Sequence, residues 1–283
     1  MLLLLIIAAT SAIPDLDANG KPHLRSESVA VRYADTGEVV LTKNGNVVRP
    51  IASITKLLSG LILSSQQLDR TQNIIILEDD KDRLKWSRSR LPVNIAMSWN
   101  DMLRVGLGAS DNRAIYASVR AVMAREQFVR LMNSKAREIG MKDSRFVDPA
   151  GIDPENVSTA MDLLQLLAAT SNIEDLRAIL LSPEIEIGTN RGVMTLRNPD
   201  RLVHSTNWEI VIGKTGYTVE AGRTLAVRMI LKGRPVDMVF LGSREMQSVF
   251  GDAARVRKWL EPKIAASDTA VANAKAVSKE TVQ

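Results

Sequence analysis

The sequence predicts an α/β fold in which one antiparallel sheet, drawn from both ends of the chain, is covered by helices drawn from its middle. Three observations predict it. Period-two patterns cluster at residues 28–42 and 208–242, and the stretch between them reads mainly as helices with apolar residues at helical spacing. The last strands are joined by turns too short to hold a crossover helix, so the chain forms a meander and not a series of βαβ units.

Residues 1–12 open with the apolar run Leu2 to Ala9 and end in Thr10-Ser11-Ala12. About a dozen residues cannot span a bilayer, so the run is expected to be a secretory signal peptide cleaved near Ala12. A buried N-terminal strand is the alternative. No basic residue precedes the run, which suggests a true start further upstream. Residues 15–27 are polar and irregular. Ser28-Val29-Ala30-Val31-Arg32-Tyr33 and Glu38-Val39-Val40-Leu41-Thr42 alternate on either side of Ala34-Asp35-Thr36-Gly37, a hairpin pattern. The chain then turns at Asn44-Gly45-Asn46 and enters a helix that contains Ser53 and continues through Leu57, Leu58, Leu61 and Ile62.

Ile74-Ile75-Ile76-Leu77 reads as a short strand, and Ser98-Trp99-Asn100-Asp101 as a cap that opens a helix ending near Gly106 to Gly108. Residues 113–124 and 125–139 form two further helices, the second stopped by Gly140. Residues 146–151 are a loop. Ser158-Thr159-Ala160-Met161-Asp162 caps a helix to about Thr170, and residues 173–181 form another. Strands are expected at 208–213, 224–232 and 236–242, with a covering helix at 246–260. Beyond Pro262 the chain is rich in Ala, Lys, Ser and Thr, so residues 263–283 are expected to be a disordered tail. Residues 25–262 form the single domain.

Composition removes several function classes. The chain has 283 residues and no cysteine, which excludes thiol catalysis, disulfides and thiolate metal sites. The two histidines, His23 and His204, are far apart and sit in no metal-ligand spacing, so neither metal nor cofactor is expected. The net charge of +5 is mild, and the basic residues are interspersed with acidic ones. With few aromatics beside them, nucleic-acid binding has little support. No later stretch is long and apolar enough to span a membrane, so at most loose membrane association is expected.

Ser53-Ile54-Thr55-Lys56 places a serine and a lysine on one helix face. A neutral lysine amine can take the serine proton if burial or a neighbouring positive charge lowers its pKa. Chance supplies S-x-x-K about once in a chain of this length. Its meaning comes from Ser110-Asp111-Asn112 and Lys214-Thr215-Gly216, which follow in that order. Together they supply what acyl transfer requires: a nucleophile, a base, a proton route to the leaving amine, and an oxyanion site at a helix N-terminus. Lys214, a second ammonium, would disfavour charge on Lys56 and attract a carboxylate. The glycines beside it would let a strand backbone approach the substrate.

These motifs resemble those of the low-molecular-mass penicillin-binding proteins, the serine D-alanyl-D-alanine peptidases. The fuller forms Ser53-Ile54-Thr55-Lys56-Leu57, Ser110-Asp111-Asn112-Arg113-Ala114 and Lys214-Thr215-Gly216-Tyr217-Thr218 are similar to that family's, as is the middle segment Phe146-Val147-Asp148-Pro149-Ala150-Gly151. The likeness is strongest to the penicillin-binding protein 7/8 type, endopeptidases that cut D-alanyl–diaminopimelyl cross-links. The resemblance implies a two-lobed fold, an antiparallel sheet flanked by helices plus an all-helical lobe carrying Ser110. It implies Ser53 as acylated nucleophile, Lys56 as general base, Ser110 as proton relay and Asn112 as positioning group. Lys214, Thr215 and Gly216 would form the substrate-binding strand, with the Tyr217 N–H as second oxyanion donor. Arg244 falls where the family places an arginine for a substrate carboxylate, with a structural ion pair as the alternative.

The implied partners are peptidoglycan stem peptides and cross-links, with β-lactam antibiotics as inhibitors and the periplasm as the location. No E-x-x-L-N follows Ser110, which implies a slow acyl-enzyme with a β-lactam and not its turnover. Nothing after the last helix reads as the C-terminal β-domain of many D,D-carboxypeptidases, which favours the endopeptidase type. A carboxypeptidase, a β-lactamase and a non-catalytic peptidoglycan-binding protein remain alternatives.

Overall fold

Both ends of the chain feed one sheet. A computed structural model describes residues 16–17, 19–245 and 248–280, with side chains described to residue 266. The expected signal peptide, residues 1–12, lies outside the described residues.

The chain begins with β1 (Ser28–Tyr33), β2 (Val39–Lys43) and the short β3 (Arg49–Pro50), then a 3₁₀ turn at Ala52–Ile54 that leads into α1 (Thr55–Ser64). A helical lobe follows: β4 (Asn73–Ile75), β5 (Ala96–Ser98), α2 (Trp99–Leu107), α3 (Asn112–Val122) and α4 (Arg125–Glu138). The chain returns through β6 (Val157–Ser158), α5 (Ala160–Thr170), α6 (Glu174–Leu181) and the hairpin β7 (Glu184–Thr189) and β8 (Gly192–Arg197). It closes with β9 (Ile210–Thr218), β10 (Gly222–Leu231), β11 (Arg234–Ser243) and α7 (Ser248–Glu280).

The main sheet has the order β2-β1-β11-β10-β9 and is antiparallel throughout. The predicted N-terminal hairpin therefore joins the C-terminal meander, with Val29 opposite Phe240 and Val31 opposite Met238. Period-two alternation sends successive residues to opposite faces. Val29, Val31, Val227, Met238 and Phe240 pack with Val249, Ala253, Val256, Leu260 and Ile264 of α7. Ala30, Ala226, Val239 and Leu241 face the other way, into the core that holds α1 and α5. Both faces are covered, and each fully buried Val or Leu contributes about 1.5–3 kcal/mol, an upper bound against an extended unfolded chain. A buried triad ties the sheet to α5. Asp237 accepts from Arg32 and Arg228, and Arg32 also donates to the Leu164 carbonyl.

The expected helix caps form. Ser98 accepts from Asp101 N, Thr159 accepts from Asp162 N, and Gly140 takes φ +86° beyond α4. Besides the short strands β3, β5 and β6 and the 3₁₀ turn that holds Ser53 ahead of the expected helix, three larger features depart from the sequence reading. The β7–β8 hairpin was not expected, although Ile185 and Ile187 alternate with glutamates and are buried. β9 runs on through Lys214 to Thr218, because its pairing with β10 continues to Gly222 opposite Thr218. α7 crosses Pro262 and its backbone is helical to Glu280, where a disordered tail was expected. Leu260 and Ile264 are both buried against the sheet, which holds the helix on either side of the proline, and the Ala- and Lys-rich sequence beyond has high helix propensity.

Candidate active site

Ser53 stands in the 3₁₀ turn that opens α1, between buried Ala52 and Ile54. Ala52 has φ +48°, a left-handed conformation that costs a residue with a Cβ about 1–2 kcal/mol. Its surroundings hold it there. A Cβ added to Gly151 would lie 2.0 Å from the Ala52 carbonyl oxygen, so the 148–153 loop closes on the turn at a distance only glycine permits.

One helical turn on, the buried Lys56 Nζ lies 2.9 Å from Ser53 Oγ, 2.6 Å from Asn112 Oδ1 and 2.6 Å from the Ala150 carbonyl. A neutral amine has two N–H donors and one lone pair. The amide oxygen and the carbonyl occupy the donors, which leaves the lone pair for the Ser53 hydroxyl proton.

The Ala150 carbonyl is placed by Asp148, whose carboxylate accepts from the N–H groups of Ala150, Gly151, Ile152 and Asp153 at 2.6–3.1 Å and from Asn156 Nδ2 at 2.6 Å. Asn112 is fixed at the start of α3, where Asp111 caps the helix by accepting from Ala114 N, and its own amide donates to Ser87 Oγ at 2.9 Å.

The other motif residues converge on the same place. Ser110 has φ +60° in the α2–α3 loop and accepts a hydrogen bond from Lys214 Nζ at 2.9 Å, while Lys214 also donates to the Thr215 carbonyl at 3.1 Å. Burial pushes the Lys56 ammonium down to about 7, helped by the positive charge of Lys214 and opposed by Asp148 and Asp111. Burial pushes Lys214 down to about 8, opposed by Asp200. Between about pH 7 and 8 these shifts favour a free base beside Ser53 and an ammonium beside Ser110. Asp200 is itself raised by burial, and its Oδ2 lies 2.8 Å from where a Cβ on Gly213 would stand.

Ser53 lies in a cleft that continues on both sides of it. One side, about 340 Å³, is lined by Ser110, Thr215, Gly216, Arg223, Val249 and Phe250; the other, about 260 Å³, by Lys85, Ser87, Ile152, Thr218 and Val219. Ser53, Asn112 and Tyr217 border both. β9 is an edge strand of the sheet and supplies the cleft's wall. A larger cavity of about 600 Å³ lies between residues 79–84 and the α3–α4 junction, and none of the three motifs borders it.

The structure thus gathers Ser53, Lys56, Ser110, Asn112, Lys214, Thr215, Gly216 and Tyr217. Arg244 it leaves out: the side chain is 89% exposed, lines neither half of the cleft and pairs with Glu27 at 3.4 Å. The ion-pair alternative describes it. The guanidinium in the cleft belongs to Arg223, stacked over the Tyr217 ring at 4.8 Å from its centroid and opposite Tyr217 in the β9–β10 register. Sequence reasoning missed Arg223, which counting back across the Gly222 turn would have paired with Tyr217. It also missed the Ala150 carbonyl, which carries no side-chain signal.

The sequence matches the model of the D-alanyl-D-alanine carboxypeptidase family over residues 16–245. The chain belongs to that family. It is a serine D,D-peptidase, a hydrolase of the penicillin-binding group that acts on peptidoglycan. The D-alanyl-D-alanine endopeptidase of Pseudomonas aeruginosa is 35% identical to this D,D-peptidase over 262 residues, covering 90% of this chain and 84% of that one. The D-alanyl-D-alanine endopeptidase of Escherichia coli is 32% identical over 244 residues, covering 85% and 79%. Among solved structures, the Streptomyces K15 DD-transpeptidase superposes with a TM-score of 0.78 at 21% identity, covering 84% of this D,D-peptidase and 98% of that protein, which establishes the shared fold.

Proposed function

We propose that this D,D-peptidase is a periplasmic endopeptidase that hydrolyses D-alanyl cross-links in peptidoglycan through an acyl-enzyme on Ser53, and that β-lactams inhibit it by acylating the same serine. The observation that carries the chemistry is the Lys56 amine, with both donors occupied and Ser53 Oγ at 2.9 Å. As Oγ attacks the D-alanyl carbonyl, its proton passes to Lys56. The Ser53 and Tyr217 N–H groups hold the developing oxyanion. The scissile C–N bond breaks as Ser110 gives its proton to the departing nitrogen and is resupplied from Lys214, 2.9 Å away. The proton taken by Lys56 returns through Ser110 to Lys214, which restores the Lys56 amine. Water then attacks the ester as it loses a proton to that amine, and Lys56 passes the proton to Ser53 Oγ, which leaves as a hydroxyl.

The endopeptidase reading is supported by the names of the Pseudomonas and Escherichia relatives and by a cleft open on both sides of Ser53, which admits a peptide running through. The leaving amine of a D-alanyl–diaminopimelyl bond carries a carboxylate on its own α-carbon. Arg223, beside Ser110 and Thr215, is the guanidinium positioned to meet it. Among the described residues no helix is long and apolar enough to cross a membrane, in keeping with action on the wall. Digestion of purified cross-linked muropeptide dimers, followed by mass spectrometry, tests the reading. Conversion of dimers to monomers supports it, and release of terminal D-alanine with dimers left intact contradicts it.

A further inference from the structure

The two halves of the cleft are not equivalent. Ser110 and Thr215 border only one of them, and a proton delivered by Ser110 must reach the leaving nitrogen, so the leaving peptide occupies that half. The acyl-donating stem must then lie in the other half, which shares Ser53 and Asn112 with the first. That second half is walled by Ile152 and Val219, and its charged lining residue is Lys85. Lys85 reaches across from its loop to pair with Glu220 in the β9–β10 turn, and both side chains are about one-third exposed.

We infer that this pair is a recognition site for the side chain of the stem residue that precedes the donor D-alanine. The side chain it fits is aliphatic and ends in both an ammonium and a carboxylate, as in a diamino dicarboxylic acid. The apolar wall takes the methylene stem, Glu220 takes the ammonium and Lys85 takes the carboxylate. One internal ion pair is exchanged for two charge-assisted contacts with the substrate. A single lone charge at this place would favour one end group. Two opposite charges, already a contact distance apart, match a terminus that carries both. Partial exposure leaves each side chain able to swing to a substrate group without first losing a buried partner. This assignment rests on the endopeptidase reading of the same site and adds the identity of the donor residue to it.

The test compares three cross-linked dimers that differ only in the donor's third residue: diaminopimelate, lysine, which lacks the carboxylate, and norleucine, which lacks both groups. The readout is the ratio of kcat/KM between substrates, which a general loss of activity does not move. The wild type is expected to prefer diaminopimelate over lysine, and lysine over norleucine, each by about tenfold. Lys85→Met should collapse the first ratio towards one and keep the second; Glu220→Gln should collapse the second. Equal cleavage of all three dimers by the wild type, or ratios that neither variant changes, would overturn the inference while leaving the endopeptidase reading in place. Failure of the wild type to cleave any dimer would overturn both.

Discussion

Gly216 of β9 lies against the backbone of Ser53 so closely that a Cβ added to it would stand 2.8 Å from Ser53 N and 2.6 Å from Thr224 Oγ1. The edge strand and the Ser53 turn are thereby locked at a spacing that leaves the Ser53 N–H beside the strand backbone, where the carbonyl oxygen of an added peptide strand would lie. Gly216→Ala must push the two apart by several tenths of an ångström. Misplacement on that scale costs up to about 100-fold in rate. The rate of covalent labelling by a fluorescent penicillin should fall, by at most about that factor, while the far-ultraviolet circular dichroism stays that of the wild type.

The two lysines predict a bell-shaped pH dependence. In the proposed mechanism Lys56 is the free base, so acylation should rise as pH climbs through about 7, and Lys214 is the ammonium, so the rate should fall as pH passes about 8. The limbs belong to the coupled pair. Because the charge on Lys214 helps to lower Lys56, Lys214→Met should move the acid limb to higher pH, in addition to slowing the reaction. The sign for stability follows. Between about pH 7 and the unfolded lysine value near 10.4, the unfolded chain binds more protons at Lys56, so this group's contribution to folding stability rises with pH across that window and its penalty is full below it. Second-order acylation rates from pH 5 to 10 check the bell.

Much of this site was legible in the sequence because its chemistry resides in side chains of uncommon combination. Ser53, Lys56, Ser110, Asn112 and Lys214 were named from three short motifs, and the structure brings them together. The sheet was legible from the alternation of Val29, Val31, Val227 and Phe240. What escaped reading was set by tertiary contact. The Ala150 carbonyl is a main-chain group placed by Asp148, and nothing in its residue type marks it. Arg223 enters the cleft through strand register, and Arg244, closer to the expected sequence position, is turned outward to Glu27. The helix beyond Pro262 escaped because a proline reads as a stop unless flanking residues, here Leu260 and Ile264, are held by packing.

The Arg32–Asp237–Arg228 triad separates stability from catalysis. Asp237 is fully buried and accepts from both guanidiniums, which are themselves nearly buried. Asp237→Ala leaves two cations with no counter-charge there, a loss of about 3–5 kcal/mol. At about 2–4 °C per kcal/mol for a domain of this size, the thermal midpoint should drop by roughly 6–20 °C. Penicillin labelling of the folded fraction at low temperature should remain. Differential scanning calorimetry measures the first, and gel fluorescence the second.

The central claim is that Lys56, whose pKa burial and the Lys214 charge lower to about 7, activates Ser53. Its most direct measurement is intact-protein mass spectrometry with peptide mapping after incubation with benzylpenicillin at pH 7.5, on the wild type, Ser53→Ala and Lys56→Met. The account predicts one antibiotic added to the wild type, located on the peptide that contains Ser53, and none on either variant over the same time. An adduct on Ser53→Ala, or acylation of Lys56→Met at the wild-type rate, would contradict it.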